Sequence, residues 1–272
     1  MDTVDQTQKI SKLAPVQLAF RLLSTLPIAY PKDAKEYLEL EGEMRSKYLT
    51  IASSIPLVGL VIGVILTLFM IAVSMGKLNM NPVLAGLLSL ALMLALTRMM
   101  HMDALSDVFD ASFGAYTPKE RIEILKDPHI GVFGLIVIVM ALGLYLYSFV
   151  EIISYGAVPL IILVMCTSRI SASICAYFII PIEGSNLGKT ISQKPSAKDF
   201  ILILVSLALA IFLSWGYLPL GTLILVLSMT LVVCAFAPQL FARPFEGSNG
   251  DVMGASIVAS ELFMLLLITL LM

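Results

Sequence analysis

The sequence predicts an all-α fold, a polytopic membrane helix bundle, and two observations lead to this prediction. Of the 272 residues, 59% are hydrophobic and only 13% are charged, whereas soluble globular proteins have about 25% charged residues. The apolar residues also form several long runs of about 20 residues, the length that an α-helix needs to cross a bilayer core. The chain is therefore expected to form a single integral membrane domain over residues 1–272.

Seven membrane-spanning helices are predicted, preceded by one short helix. Residues 13–26 are apolar but too few to cross a bilayer, and they include Arg21, which favours an interfacial or re-entrant helix. This helix belongs to an N-terminal segment over residues 1–48, and the bundle is expected over residues 49–272. The predicted spans cover residues 51–75, 82–100, 131–153, 157–181, 200–216, 218–241 and 252–272.

Lysine and arginine residues are unevenly distributed between alternate loops. The N-terminal segment up to Lys47 has seven of them, and the loops at 101–130, 182–199 and 242–251 add seven more, whereas the opposite side has only Lys77. Cytoplasmic loops of membrane proteins are enriched in these residues. The sequence thus predicts a multi-pass protein of the cell (cytoplasmic) membrane, with its N-terminus and its polar loops in the cytoplasm.

Three carboxylates follow directly on the apolar run at 82–96. Asp103, Asp107 and Asp110 have the spacing i, i+4, i+7, which places them on one face of a helix. Like charges in this arrangement repel one another, and a divalent cation is the expected compensation. Oxygen ligands without a cluster of cysteine and histidine favour Mg²⁺ or Mn²⁺ over zinc. Asp251, in a later loop on the same side, is predicted to complete or support this site.

Two glycine-rich loops, 183–190 and 246–254, lie on the same predicted side. Such loops can present backbone N–H groups to phosphate oxygens, and the nearby cations Lys126, Lys189 and Arg169 suit a diphosphate held by a metal. Residues 188–190 do not form a Walker motif, because Glu183 stands where that motif has its first glycine. Arg169 lies inside a predicted span, so it either pairs with a carboxylate such as Glu261 or binds an anionic substrate.

Taken together, these segments resemble the cobalamin synthase family, the adenosylcobinamide-GDP ribazoletransferases. Residues 101–111 are similar to the family pattern His-x-Asp-Gly-x-x-Asp-x-x-Asp-Gly, with Ala104 and Ala111 in the glycine positions. Residues 247–255 are similar to Gly-Gly-x-Thr-Gly-Asp-x-x-Gly-Ala, with Asn249 in the threonine position. Further similar segments, in the same order as in the family, are residues 20–27, 56–59, 121–134, 168–169 and 184–189.

The resemblance implies the last step in assembling the cobalamin nucleotide loop. A hydroxyl of α-ribazole, or of its 5′-phosphate, attacks the diphosphate of adenosylcobinamide-GDP and GMP leaves. Site residues are expected in three roles: Mg²⁺ ligands (Asp103, Asp107, Asp110 and Asp251), catalytic groups (His101, Asp110 and Lys126) and substrate-binding groups (Arg121, Arg169, Lys189 and Asn249). The implied partners are the corrinoid nucleotide, α-ribazole and the bilayer, and no nucleic acid. A homo-oligomer, or association with other cobalamin-assembly enzymes, stays open.

Two other functions are compatible with an acidic membrane bundle. A CDP-alcohol phosphotransferase of phospholipid synthesis would share the phosphate chemistry, but its Asp-x-x-Asp-Gly-x-x-Ala-Arg pattern is absent from this sequence. A divalent-cation transporter would have charges along a path through the membrane. Here Arg169 and Glu261 are the charged residues in the middle of predicted spans, Arg98 and Glu151 lie near span ends, and most of the other charges cluster at one end.

Overall fold

A computed structural model describes residues 10–40, 47–74, 78, 80–192 and 194–272, with the side chains of Asn186, Leu187 and Lys189 outside the description. Within these residues the regular structure is helical, apart from one isolated bridge between Pro181 and Ser248. The prediction of an all-α fold is thus confirmed. In chain order the helices are α1 (Ala14–Leu23), α2 (Ala34–Leu38), α3 (Ile51–Ser74), α4 (Pro82–Leu96), α5 (Met100–Gly114), α6 (Pro118–Ile124), α7 (Val132–Ser154), α8 (Leu160–Ser168), α9 (Ile170–Phe178), α10 (Asn186–Ile191), α11 (Ala197–Leu213), α12 (Leu220–Ala242) and α13 (Gly250–Leu271).

Five helical segments of the described chain are long and apolar enough to cross a membrane, which supports a multi-pass membrane protein. They are α3, α7, the joined pair α8–α9, α12 with the short 3₁₀ turn that follows it, and α13. Helices α4 and α5 meet the same criterion only as a pair, and that pair is bent by 82°. The predicted number of seven spans is not confirmed, because α4 has 15 residues and α11 has 17.

The bend between α4 and α5 is formed by two consecutive residues with left-handed backbone, Arg98 (φ 55°) and Met99 (φ 57°). The chain therefore turns nearly at right angles after Leu96, and α5 does not continue the path of α4. The Leu96 carbonyl, which has lost its helical partner, accepts a hydrogen bond of 2.9 Å from the N–H of Thr25 in the segment after α1. The acidic helix α5 consequently lies outside the five spanning segments.

Helices α3 and α8 pack closely because α3 has two glycines one turn apart. A Cβ atom on Gly59 would overlap the Met165 carbonyl, and one on Gly63 would lie 2.7 Å from the Cα atom of Ile162. Small residues four apart allow two helices to approach closely in a membrane protein. Gly59 also leaves room for the Arg169 side chain at the end of α8, so this packing determines where that buried cation lies.

Candidate active site

Helix α5 presents the three predicted carboxylates in different environments. Asp103 is exposed, Asp107 is half-buried and Asp110 is buried. Both oxygens of Asp110 accept hydrogen bonds from the start of α7, from the N–H of Gly131 at 2.7 Å and from that of Gly134 at 2.8 Å. Asp110 therefore satisfies unpaired donors of a helix N-terminus and connects α5 to α7.

The carboxylates are close enough to affect one another's ionisation. Partial burial, followed by the negative charges of Asp103, Asp251 and Asp110, raises the pKa of Asp107 to about 7. The structure thus brings Asp251, from α13, into the same electrostatic cluster as the three carboxylates of α5. The repulsion expected from the sequence is present, and Asp107 is the side chain on which it acts most clearly.

Asn249 and Asp251 form the start of α13. The Asn249 side chain caps this helix by accepting the N–H of Val252 at 2.9 Å, and its amide donates to the Asp251 carboxylate at 2.7 Å. These bonds hold Asp251 at the mouth of a small cavity, where it lies beside Asp103. Asn249 thereby positions Asp251 as well as the helix.

That cavity has a volume of about 210 Å³ and is lined by residues of α1, α3, α5, α9, α10 and α13. His101 lines it and is only 6% exposed. Its Nε2 atom is buried without a hydrogen-bond partner among the described residues. Burial, together with the positive charge of Arg169, lowers the pKa of His101 to about 3, so the imidazole is neutral at physiological pH.

The three loops singled out in the sequence are joined to one another. Arg121 donates to the carbonyl of Ala115, at the end of α5, and to that of Pro244, both at 3.1 Å. Ser248 exchanges backbone hydrogen bonds of 2.9 Å with Ile180 and Ile182 in the segment after α9. These contacts place the 101–130, 182–199 and 242–251 loops at one end of the bundle, as predicted. Arg121 makes structural contacts here, and its contact with substrate stays a prediction.

Arg169 is deep in the bundle, 1% exposed, between α8 and α9. Its guanidinium pairs with the Glu261 carboxylate of α13 and also donates to the Met165 carbonyl at 2.8 Å. The other oxygen of Glu261 accepts the hydroxyl of Tyr145 from α7. The contacts of Arg169 therefore match the alternative in which it pairs with Glu261. Substrate binding by Arg169 stays a prediction.

Two further predicted residues lie on the loops. Lys126 is exposed in the turn between α6 and α7, five residues before the glycine that binds Asp110. Lys189 is on α10, and its side chain lies outside the described part of the structure. The predicted role of each stays a prediction.

Several residues of the site were not predicted from the sequence. Leu22 and Leu23 of α1 form one wall of the cavity. The similarity of residues 20–27 to the family was a signal that could have assigned them to the site. The left-handed pair Arg98 and Met99 sets the direction of α5. Neither residue is a glycine, so no sequence signal marked the bend.

Fold and site together define a multi-pass membrane protein of helices, with a cluster of carboxylates around the mouth of a small apolar cavity. The chain belongs to the Cobalamin-5-phosphate synthase family, whose model matches residues 15–269. The resemblance noted in the sequence is confirmed by this match.

Curated relatives are named adenosylcobinamide-GDP ribazoletransferase. The protein of that name from Deinococcus radiodurans is 30% identical over 254 residues, which cover 92% of this chain and 83% of the relative. The relative from Clostridium botulinum (strain Alaska E43 / Type E3) is 29% identical over 76% of this chain and 81% of its own length. The one from Thermoanaerobacter sp. (strain X514) is 27% identical over 90% and 92%. No solved structure matches this chain.

Proposed function

We propose that this chain is an adenosylcobinamide-GDP ribazoletransferase that completes the nucleotide loop of cobalamin. The observation that carries the proposal is the family match over residues 15–269, together with the shared name of the relatives. The site agrees with this function, because a carboxylate cluster beside a cavity suits phosphate chemistry on a bulky substrate. The family match also argues against the two other functions considered from the sequence.

In the proposed reaction, a ribose hydroxyl of α-ribazole, or of its 5′-phosphate, attacks the phosphorus that bears the cobinamide. A new oxygen–phosphorus bond forms and the diphosphate bond breaks. GMP leaves with the electron pair of that bond, and the hydroxyl proton passes to a base of the protein. Positioning of the two substrates and neutralisation of charge supply most of the catalysis in such transfers.

We further propose that Mg²⁺, or Mn²⁺, is the cofactor. Among the described residues, no three His, Cys, Asp or Glu side chains converge in the arrangement of a metal site. Mg²⁺ is usually held by only one or two carboxylates and completes its shell with water and substrate phosphates. The carboxylate oxygens of Asp103, Asp107 and Asp251 fit this requirement. Asp110, on the same face of α5, is proposed as a further ligand. When bound, the cation neutralises charge on the diphosphate.

The base must lie within hydrogen-bond reach of the hydroxyl that it deprotonates, and His101 and Asp110 are proposed for this role. His101 is neutral and lines the cavity, and its Nε2 atom is buried without a partner among the described residues. Asp110 already accepts two N–H groups, although each oxygen keeps a lone pair. Lys126, Lys189 and Asn249 are proposed to hold the phosphates and the ribose, and Arg121 to position the loops around them.

The site is proposed to face the cytoplasm in the cell membrane. The support is the sequence pattern in which the loops around the site contain most of the lysine and arginine residues. Nucleotide substrates are available on that side. A reporter fused after Met272 is expected on the opposite side from one fused at the N-terminus, because an odd number of crossings, such as the predicted seven, places the two ends on different sides.

The proposed function is tested with purified protein in lipid nanodiscs, incubated with adenosylcobinamide-GDP, α-ribazole and Mg²⁺. We expect GMP and adenosylcobalamin in equal amounts, and no product without α-ribazole. The variant Asp107→Asn is expected to lose about 10²-fold to 10³-fold in turnover, as typically follows loss of a charge-stabilising group. Absence of GMP with folded wild-type protein refutes the proposal. Release of CMP from a CDP-alcohol, or Mg²⁺ flux into vesicles, would support one of the alternatives instead.

A further inference from the structure

The cavity beside the carboxylates is lined mainly by apolar side chains. Its walls include Leu22 and Leu23 of α1, Ile55 of α3, Ala172 of α9 and Ile257 of α13. Among the described side chains, the polar groups that line it are His101 and, at its mouth, Asp103 and Asp251. Apolar walls cannot compensate the charge of a phosphate, and the two carboxylates repel an anion that enters between them. The interior is therefore suited to an uncharged part of a substrate.

The volume of the cavity limits this part to one small ring system. An apolar protein cavity of about 150 Å³ holds a benzene molecule, and pockets for whole drug-sized ligands have about 300–1,000 Å³. At about 210 Å³, the cavity has room for a flat bicyclic ring. The corrin macrocycle, with four nitrogen rings and many side chains, is far too large for it.

His101 favours an occupant with a polar atom. A buried side-chain nitrogen without a partner is costly, so such groups nearly always have a hydrogen-bond partner in the functional state. The Nε2 atom of His101 has no such partner in the described part of the chain, and the residue is 6% exposed and lines the cavity. In its neutral Nε2–H form this side chain can donate one hydrogen bond to an acceptor that reaches it from the cavity.

We infer that the cavity binds the benzimidazole base of the acceptor nucleoside. This inference rests on the proposed function, in which α-ribazole is the acceptor. Benzimidazole is flat, bicyclic and uncharged, and its ring nitrogen that is not bonded to ribose accepts a hydrogen bond. With the ring inside and its nitrogen bonded to His101, the ribose lies at the mouth beside Asp103 and Asp251, and Asp110 is then the proposed base for the ribose hydroxyl. The corrinoid nucleotide then approaches from outside the mouth, so the two substrates meet at the carboxylates.

Binding of benzimidazole alone tests the inference without turnover. We expect saturation-transfer NMR to detect benzimidazole bound to wild-type protein in nanodiscs, and α-ribazole to displace it. Leu23→Phe narrows the half-buried wall of the cavity and is expected to weaken binding about tenfold. Val16→Phe is the matched control, because Val16 is also half-buried on α1 but does not line the cavity. His101→Phe, which keeps a flat ring and removes the donor, is expected to weaken binding by about tenfold as well.

In the kinetic assay, Leu23→Phe should raise the KM for α-ribazole and leave the KM for adenosylcobinamide-GDP unchanged. The inference would be overturned if wild-type protein, Leu23→Phe and His101→Phe bound benzimidazole equally well. It would also be overturned if adenosylcobinamide-GDP alone displaced the bound benzimidazole. If Leu23→Phe does not fold, Ala172→Leu fills the opposite wall, with Ala176→Leu as its control. Failure of the proposed function is distinguishable, because it shows as absence of GMP from wild-type protein, whether or not benzimidazole binds.

Discussion

Gly134 donates its backbone N–H to the carboxylate of Asp110 at 2.8 Å, and no side chain fits at this position. A Cβ atom on Gly134 would overlap both the Asp110 carboxylate and the Ser106 hydroxyl. The glycine therefore allows the start of α7 to close on the acidic helix α5. The partial positive charge at the start of α7 faces the carboxylate, which favours this contact.

Gly134→Ala is expected to separate these two helices. The added methyl group has no room, so we expect a loss of about 2 kcal/mol in stability, typical of overpacking, and lower transferase activity. Gly143→Ala is the matched control, because it lies on the same helix and an added Cβ meets nothing within 4 Å. Thermal unfolding in detergent measures the stability of both variants. Equal melting temperatures for the two variants would show that the Asp110–Gly134 contact does not limit stability.

The left-handed backbone at Arg98 and Met99 suggests a second experiment. A non-glycine residue in this conformation costs about 1–2 kcal/mol, because its Cβ is too close to the next carbonyl. Met99 is 58% exposed, so its side chain contributes little packing that a substitution would lose. Met99→Gly is expected to raise the stability by about 1 kcal/mol, and Met99→Ala, which keeps the Cβ, is expected to give no such gain. An equal gain in both variants would show that the backbone at this bend is not strained.

The acidic face of α5 could be predicted because it depends only on local spacing. Asp103, Asp107 and Asp110 share a face in any helix that includes them. The possible partner of Arg169 was also predictable, because Glu261 is the other charged residue in the middle of a predicted span. That the polar loops meet at one end followed from the alternation of loops across a membrane. In each case one rule, either of geometry or of the free-energy cost of burying a charge, was sufficient.

The bend and the cavity could not be predicted in the same way. The helix that starts at Pro82 was expected to continue to residue 100, because Arg98 and Met99 have no preference for a left-handed backbone. The structure ends that helix at Leu96, where Thr25 binds the free carbonyl. The cavity depends on six helices that are distant in sequence, so its walls at Leu22 and Ile257 follow from tertiary packing and not from any local pattern.

The Arg169–Glu261 pair can be tested for a role beyond structure. Removing one partner of a buried ion pair leaves an uncompensated charge, so Glu261→Leu is expected to cost about 3–5 kcal/mol. Replacing both partners with apolar residues should restore much of this loss. We suggest Arg169→Met with Glu261→Leu in a Tyr145→Phe background, because the hydroxyl of Tyr145 would otherwise lose its acceptor. Recovery of both stability and activity would show a purely structural pair. Recovery of stability without activity would support the predicted contact between Arg169 and substrate.

The ionisation of Asp107 predicts how stability depends on pH in metal-free protein. Its pKa is raised from 3.8 to about 7, so between these values the folded state keeps a proton that the unfolded chain has released. Stability therefore falls as the pH rises from about 4 to 7, because the folded state binds more protons in this range. Asp107→Asn cannot ionise, and its melting temperature in EDTA is expected to fall less over the same range.

Addition of Mg²⁺ is expected to reverse this loss at the upper end of the range. Metal ligands must be deprotonated, so Mg²⁺ should raise the melting temperature of the wild type more at pH 8 than at pH 5. Asp107→Asn should respond less at both pH values, and Glu123→Gln, which removes an exposed carboxylate of α6 outside the cluster, serves as the control. An equal rise in melting temperature for the wild type and Asp107→Asn would mean that the cation does not bind at this cluster. In that case Mg²⁺ would not stabilise the protein through the Asp107 carboxylate.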